Sequence, residues 1–218
     1  MTGPRVRAVG RFGWLVELSS DGEVAALHRY LVARRERGDL PGILDLVPGA
    51  RTVLLDGTPA GPGRGGGLGR AALNALLRDW DPAAPMTGPP PRHVEIGVRY
   101  DGVDLADVAR LTGYGEDAIA AAHTGTDLTV AFCGFSPGFA YLAGLPAMLR
   151  VPRREEPRVA VPAGAVALAE GYTGIYPRRS PGGWQIIGHT RVELWNTDRE
   201  PPALLSPGTV VRFTRLPR

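Results

Sequence analysis

Val130-Ala131-Phe132-Cys133 runs directly into Gly134-Phe135-Ser136-Pro137-Gly138-Phe139-Ala140-Tyr141-Leu142, and this junction decides the fold. The first four residues are strand formers, and the turn residues that follow break the run. Pro137 fixes its own φ and Gly138 can take a positive one, so Pro-Gly makes a tight turn that aims Phe135, Phe139 and Tyr141. Backbone amides at Gly134 and Gly138 can come close to a ligand because no Cβ intervenes. From Leu128 onward no helical period remains. Short β-type runs at Val130–Cys133, Val159–Val161, Ala165–Leu168, Gln185–Ile187, Val192–Trp195 and Val210–Thr214 alternate with Gly/Pro turns. That rhythm predicts a compact β-barrel or sandwich.

Upstream of the junction the pattern is different. Two short helical segments, Asp104–Thr112 and Gly115–His123, are each followed closely by glycine. Before them a domain boundary is expected near Tyr100–Gly102, which divides the chain into residues 1–101 and 102–218. The first part alternates strands and helices. Val6–Val9 and Trp14–Leu18 read as strands, and Ser20 with Glu23 forms a capping box. Val24, Leu27 and Leu31 then fall at helical spacing to about Arg37. Strands at Ile43–Val47 and Thr52–Leu55 follow, then a helix over Leu68–Trp80 and a strand at His93–Val98. The order β-α-β-β-α-β predicts a ferredoxin-like small domain, so the fold class is α+β. The Gly-rich stretch Gly57–Gly69 lacks the Lys-Ser/Thr ending of a phosphate loop and reads as a flexible loop, and the Pro-rich stretch Asp81–Arg92 reads as a connector.

Composition narrows the function. The chain has 218 residues, 44% of them apolar, and no apolar run of bilayer-spanning length. Its start lacks the apolar core of a signal peptide, so a cytoplasmic protein is expected. A single cysteine, Cys133, leaves no internal disulfide and no cysteine-rich metal site, and no metal centre is expected. All 25 basic residues are arginine. Without lysine the chain has no Schiff-base amine, no residue to carry biotin and no P-loop lysine. Any anion must be met by guanidinium forks, backbone N–H groups or helix N-termini. The net charge of +3 comes with no basic stripe interleaved with aromatics, so nucleic acid is not an expected partner.

Three further segments are wrong for plain strands. In Pro152-Arg153-Arg154-Glu155-Glu156-Pro157-Arg158, prolines hold the chain extended; Arg153 and Arg158 can pair bidentately with carboxylate or phosphate, or Glu155 and Glu156 neutralise them locally in a solvated charged loop. Gly171-Tyr172-Thr173-Gly174-Ile175-Tyr176-Pro177 and Ser180-Pro181-Gly182-Gly183-Trp184 read in two ways: Tyr176 or Trp184 stacks on a planar ligand, or the segments are only a turn and a core tryptophan. The Gly182 and Gly183 amides can form an anion nest. His123, ending a helix before the β-rich half, is a candidate acid or base, although a capping or core histidine is the more common occupant of such a position.

Taken together, Gly-Phe-Ser-Pro-Gly-Phe, Pro152-Arg153, Pro157-Arg158, Val161-Pro162-Ala163-Gly164, Thr173-Gly174-Ile175-Tyr176-Pro177, Ser180-Pro181-Gly182-Gly183-Trp184 and Ser206-Pro207-Gly208 resemble one family. It is variously labelled the 5-oxoprolinase B subunit, allophanate hydrolase subunit 1 and sporulation-kinase inhibitor. The resemblance implies a cyclophilin-like β-barrel after the ferredoxin-like domain. It implies an enzyme that works as a heteromer, with a C subunit that carries a related barrel and with an A subunit. It implies ATP, with Mg, as co-substrate, no bound organic cofactor, and cleavage of the 5-oxoproline lactam to glutamate. On that reading His123, Arg153 and Arg158 are catalytic. Gly134, Phe135, Pro137, Gly138, Tyr141, Tyr176, Pro181, Gly182, Gly183, Trp184 and His189 bind substrate or ATP. The same family makes two alternatives: a regulator that inhibits a sensor histidine kinase, and the carboxyltransferase-like half of a urea or allophanate enzyme. The chain departs from the family pattern at Ala140 (proline is usual), at Glu170 and Tyr172 (a Gly and a Gln), and at His189 (an Arg). The last of these loses a fixed charge and a bidentate fork.

Overall fold

The computed structural model describes residues 3–57, 67–84 and 90–217. Most of the Gly-rich loop (58–66) and part of the connector (85–89) lie outside the described residues. The chain divides into two compact units, residues 1–90 and 91–218. No helix among the described residues is long and apolar enough to cross a membrane.

The first unit is a four-stranded antiparallel sheet with two helices. Its strands are β1 (Arg5–Val9), β2 (Gly13–Glu17), β3 (Ile43–Pro48) and β4 (Thr52–Gly57), in the order β1-β2-β4-β3. Helix α1 (Asp21–Glu36) starts as its sequence dictates: Ser20 Oγ accepts from the Glu23 amide, and Glu23 Oε2 accepts from the Ser19 amide. Its buried face is Val24, Leu27 and Leu31, packed on Val16, Val53 and Leu55. Helix α2 (Arg70–Asp79) buries Leu73 fully, with Leu76, Leu77 and Trp80 partly covered. β2, α1 and β3 with β4 between the strands make the split β-α-β unit of a ferredoxin-like sheet. The expected closing strand, His93–Val98, is not in it. The edge beside β2 is filled by β1, which the turn at Gly10–Phe12, with Gly10 at φ 59°, folds back in register from Arg5↔Glu17 to Val9↔Gly13.

The second unit is the β-rich one. Strand β5 (His93–Val98) leads into helices α3 (Leu105–Thr112) and α4 (Glu116–Thr124), then β6 (Asp127–Cys133), β7 (Ala140–Ala143), β8 (Arg158–Val161), β9 (Ala165–Ala169), β10 (Tyr172–Ile175), β11 (Ser180–Gly182), β12 (Gln185–His189) and β13 (Val210–Arg215). Seven strands form one sheet in the order β12-β9-β10-β7-β6-β13-β5, and β8 and β11 form a separate two-stranded ribbon. β5 pairs parallel to β13 from His93↔Val210 to Val98↔Arg215, which moves it from the first unit to the second. The reason is packing: Ile96 and Val98 are buried among Val211, Phe213 and Leu128.

The sheet curls until its edges meet. Arg99, just past β5, bridges His189 at the end of β12 through two 2.9 Å hydrogen bonds, and the Gly102 and Asp104 amides bond the carbonyls of Ile187 and Ile186. The expected boundary near Tyr100–Gly102 is therefore the seam of the barrel, and the unit division falls at Pro90/Pro91. Two glycines make the seam possible. A Cβ on Gly102 would lie 2.3 Å from the Ile186 carbonyl oxygen, and one on Gly188 would lie 2.4 Å from that of Arg99. The strand expected at Val192–Trp195 is reduced to a single bridge, Trp195↔Ala203. Its partner segment contains Pro201 and Pro202, which have no N–H to give a ladder, and the Arg199 guanidinium takes up the carbonyls of Leu194 and Pro202 instead.

Candidate functional site

The β6–β7 turn is shaped by two opposing demands. The Gly134 amide donates to the Phe139 carbonyl at 3.2 Å, which closes the hairpin. Inside it, the Ser136 amide donates to the Gly134 carbonyl at 2.7 Å, across Phe135 at φ 65°. This is the rare, strained form of γ-turn, and it holds a phenylalanine in the left-handed region with its ring 57% exposed. Gly138, at φ 84°, lies against Trp195, whose Cβ would be 2.9 Å from an added Cβ. Behind the turn the rings of Phe132, Phe139, Tyr141, Tyr172, Tyr176 and Trp184 form a continuous edge-to-face and stacked cluster with centroids 4.2–5.8 Å apart. Phe135 touches it through Phe139 and Tyr176.

Sequence reasoning placed Tyr176 and Trp184 at this surface as a planar wall. The structure buries both, at 2% and 5% exposure, as the foundation of the cluster. Burial raises the Tyr176 hydroxyl above the usual phenol range, and the facing Trp184 backbone opposes that shift. Phe132, Phe135, Tyr141 and Tyr172 are the aromatic groups of the cluster left in contact with solvent. The Gly134 amide, expected to donate to a ligand, is committed to the turn. Gly182, whose Cβ position is filled by the Tyr176 hydroxyl at 2.3 Å, belongs to the ribbon with Pro181, and the Gly183 carbonyl accepts from the Arg154 amide.

The arginine segment is organised by a residue that sequence reasoning missed. The Asp104 carboxylate is 1% exposed and accepts four N–H groups: Arg154 Nη1 at 2.8 Å, Arg158 Nη1 at 2.9 Å, Arg158 Nη2 at 2.6 Å and the Ile186 amide at 2.7 Å. An aspartate at the start of a helix normally reads as its N-cap, but here the side chain makes no cap bond and reaches arginines about fifty residues away in sequence. Nothing local signals that pairing. Arg158 thus has its fork occupied. Arg153 does not: its Nε lies 3.5 Å from Glu170 Oε1, and the two side chains are 59% and 65% exposed. Arg153 and Arg158 both act electrostatically on the Tyr176 hydroxyl, and Arg153 also acts on Tyr141, which places them beside the aromatic cluster. Glu170 is strained as well. It has φ 56° at the first position of the two-residue β9–β10 turn, where glycine is the usual occupant. Among the described residues, Phe135 and Glu170 are the two non-glycine residues with positive φ, and both border this cluster. Such strain concentrates at functional sites.

The remaining expectations fall elsewhere. His123 is fully buried in the barrel core, stacked on Phe213 with centroids 4.4 Å apart. Thr173 gives its only proton to the Ala167 carbonyl, so His123 Nε2–H donates to Thr173 at 3.0 Å and Nδ1 accepts from the Tyr100 hydroxyl at 2.7 Å. Burial pushes its pKa down to about 3, so it stays neutral and has no path to a ligand at the rim. Its position corrects the expected acid–base role. His189 sits on the barrel seam, with Nδ1 2.7 Å from Asp101 Oδ1, near an open cleft of about 380 Å³ lined by Arg99, Asp101, Gly102, Val103 and Glu116.

Comparison with known proteins supplies a frame for this geometry. The family described as carboxyltransferase domain, subdomain C and D, matches residues 4–205. A protein of Escherichia coli O157:H7, named as the B subunit of 5-oxoprolinase, is 37% identical over 96% of this chain and 94% of its own length. Among solved structures, the protein TTHA0988 is 37% identical with a TM-score of 0.74, over 98% of this chain and 40% of that one. This chain therefore spans about two fifths of that protein's length. The urea amidolyase of Kluyveromyces lactis shares the fold, with a TM-score of 0.71 at 19% identity over 98% of this chain and 15% of that one.

Proposed function

Because the chain belongs to the family of the carboxyltransferase domain, subdomains C and D, we propose that it is the B subunit of an ATP-dependent 5-oxoprolinase. In this reading it works with the A and C subunits in the cytoplasm and has little activity alone. The near full-length likeness to a protein named as the B subunit of 5-oxoprolinase carries the proposal.

A lactam amide resists water because its carbonyl is resonance-stabilised. Transfer of the ATP γ-phosphoryl group to the amide oxygen makes an imidate-like phosphate. Water then adds to that carbon and the ring C–N bond breaks, the nitrogen leaving with a proton, to give γ-glutamyl phosphate. A second water hydrolyses this acyl phosphate to glutamate and inorganic phosphate. Such a transfer asks the protein for positioning and charge stabilisation, not for a strong base. The rim is suited to that. Phe135 offers an exposed flat face for a planar ring, with the half-buried Tyr141 beside it, and Arg153 offers an exposed cation for the lactam carboxylate or a phosphate. Arg154 and Arg158, held against one buried carboxylate, keep a positive field behind it. Among the described residues no three His, Cys, Asp or Glu side chains converge on one metal position; magnesium that arrives with ATP is held mainly by the phosphates and needs only one or two carboxylates.

The test is ATP hydrolysis by this chain assembled with the A and C subunits, with and without 5-oxoproline. Lactam-stimulated phosphate release with matching glutamate supports the reading. A demonstrably assembled complex that shows no stimulation refutes it.

A further inference from the structure

Resting on that reading, we propose that Glu170 sets the substrate preference of the rim by competing with anionic ligands for Arg153. The backbone is the first observation. A glutamate at φ 56° occupies the turn position that glycine fills without strain, and among the described residues only Phe135 shares that condition. The contact is the second. The Glu170 amide is tied to the Val151 carbonyl at 2.6 Å, which aims the turn at the arginine segment and brings its carboxylate to 3.5 Å from Arg153 Nε. That distance is longer than a normal hydrogen bond, and both side chains face water, so the pair is weak enough for a ligand to displace. Arg158 is not available in the same way, because Asp104 holds its fork in a buried pair.

The arrangement makes Arg153 a cation screened by one removable carboxylate. An incoming carboxylate or phosphate must displace Glu170, whereas a neutral ligand need not. Glu170 therefore handicaps anionic ligands relative to neutral ones of the same shape.

The experiment compares 5-oxoproline with 2-pyrrolidinone, its neutral analogue without the carboxylate. Binding is read on the isolated chain from the Arg153 side-chain NMR resonance, and kcat/KM is read on the assembled complex. Glu170→Gln, which removes the charge and keeps the turn, is expected to tighten 5-oxoproline binding about threefold, the size an exposed pair allows, and to leave 2-pyrrolidinone unchanged. Glu170→Gly is expected to match it. Placed on Arg153→Ala, both changes are expected to have no effect. Equal affinities in wild type and Glu170→Gln, no perturbation of Arg153 by 5-oxoproline in either, or an effect that persists without Arg153, overturns the proposal. A complex without lactam-stimulated turnover but with the binding shift intact would refute the functional reading and leave the Glu170–Arg153 competition standing.

Discussion

Replacing Asp104 by Asn tests the feature on which the arginine segment depends. In the folded chain the carboxylate is almost wholly buried and accepts four N–H groups, three of them from two guanidiniums. Asn keeps one acceptor oxygen and can hold the Ile186 amide. Its NH2 group then faces Arg158 donor to donor, and two arginines lose their counter-charge. Removing one partner of a buried ion pair costs about 3–5 kcal/mol. The arginine side chains are 24% and 29% exposed and can turn partly to water, so the lower end applies, about 3 kcal/mol. That is a large part of the roughly 5–15 kcal/mol by which a domain is stable. Urea unfolding of the wild-type and Asp104→Asn chains measures it, with amide hydrogen exchange at Ile186 as the local report. A double-mutant cycle with Arg158→Ala should give a coupling of about 2 kcal/mol. Unfolding free energies within about 0.5 kcal/mol of each other, the range of an ordinary surface change, would refute this account of Asp104.

Other consequences can be checked as directly. Gly188→Ala puts a methyl group 2.4 Å from the Arg99 carbonyl oxygen, so the seam must open, and a loss of about 3 kcal/mol or more is expected in the same unfolding assay, with amide protection lost at Arg99 and His189. Phe135→Gly relieves the γ-turn and should raise stability by about 1 kcal/mol while weakening lactam-stimulated turnover of the complex, because the exposed ring is lost. His123 gives a pH signature. Its folded pKa is about 3 against 6.5 unfolded, so it is neutral in both states above about pH 6.5 and contributes nothing to the pH slope there. As pH falls from 6.5 towards 3, the unfolded chain binds a proton that the fold refuses, and stability drops by about 1.4 kcal/mol per pH unit. His123→Gln, which cannot titrate, should flatten the acid limb of stability against pH by that slope, and an unchanged limb would place a charged histidine in the core.

Local signals were legible wherever a residue's neighbours in sequence are also its neighbours in space. The Ser20–Glu23 cap and the Val24, Leu27 and Leu31 stripe give α1 its start and its buried face. The Pro137–Gly138 turn after a strand, and the short runs between glycines and prolines, give the β-rich half. The turn also led to Phe135, which is exposed at the rim, and the proline-bounded segment led to Arg153. Tyr176 and Trp184 were found by the same motifs but with the wrong surface, because a turn fixes where a ring starts and not whether a second strand covers it.

The amino-acid sequence by itself determined the helices and most of the strands, the β-rich character of the second half, the absence of any lysine chemistry, and the family. It did not mark β10 and β11, which lie in segments whose glycines and prolines read against plain strands. Only the tertiary structure decided that β5 joins β13 in place of the first sheet, and that the barrel closes where Gly102 and Gly188 let two backbones meet. It also decided that Asp104 reaches Arg154 and Arg158, and that His123 is sealed away as a neutral core residue. The physical reason is range. Capping, turn dihedrals and hydrophobic period act over a few residues and are written in neighbouring side chains. Strand partners, buried ion pairs and burial depend on contacts between residues far apart in the chain, and no local pattern encodes them.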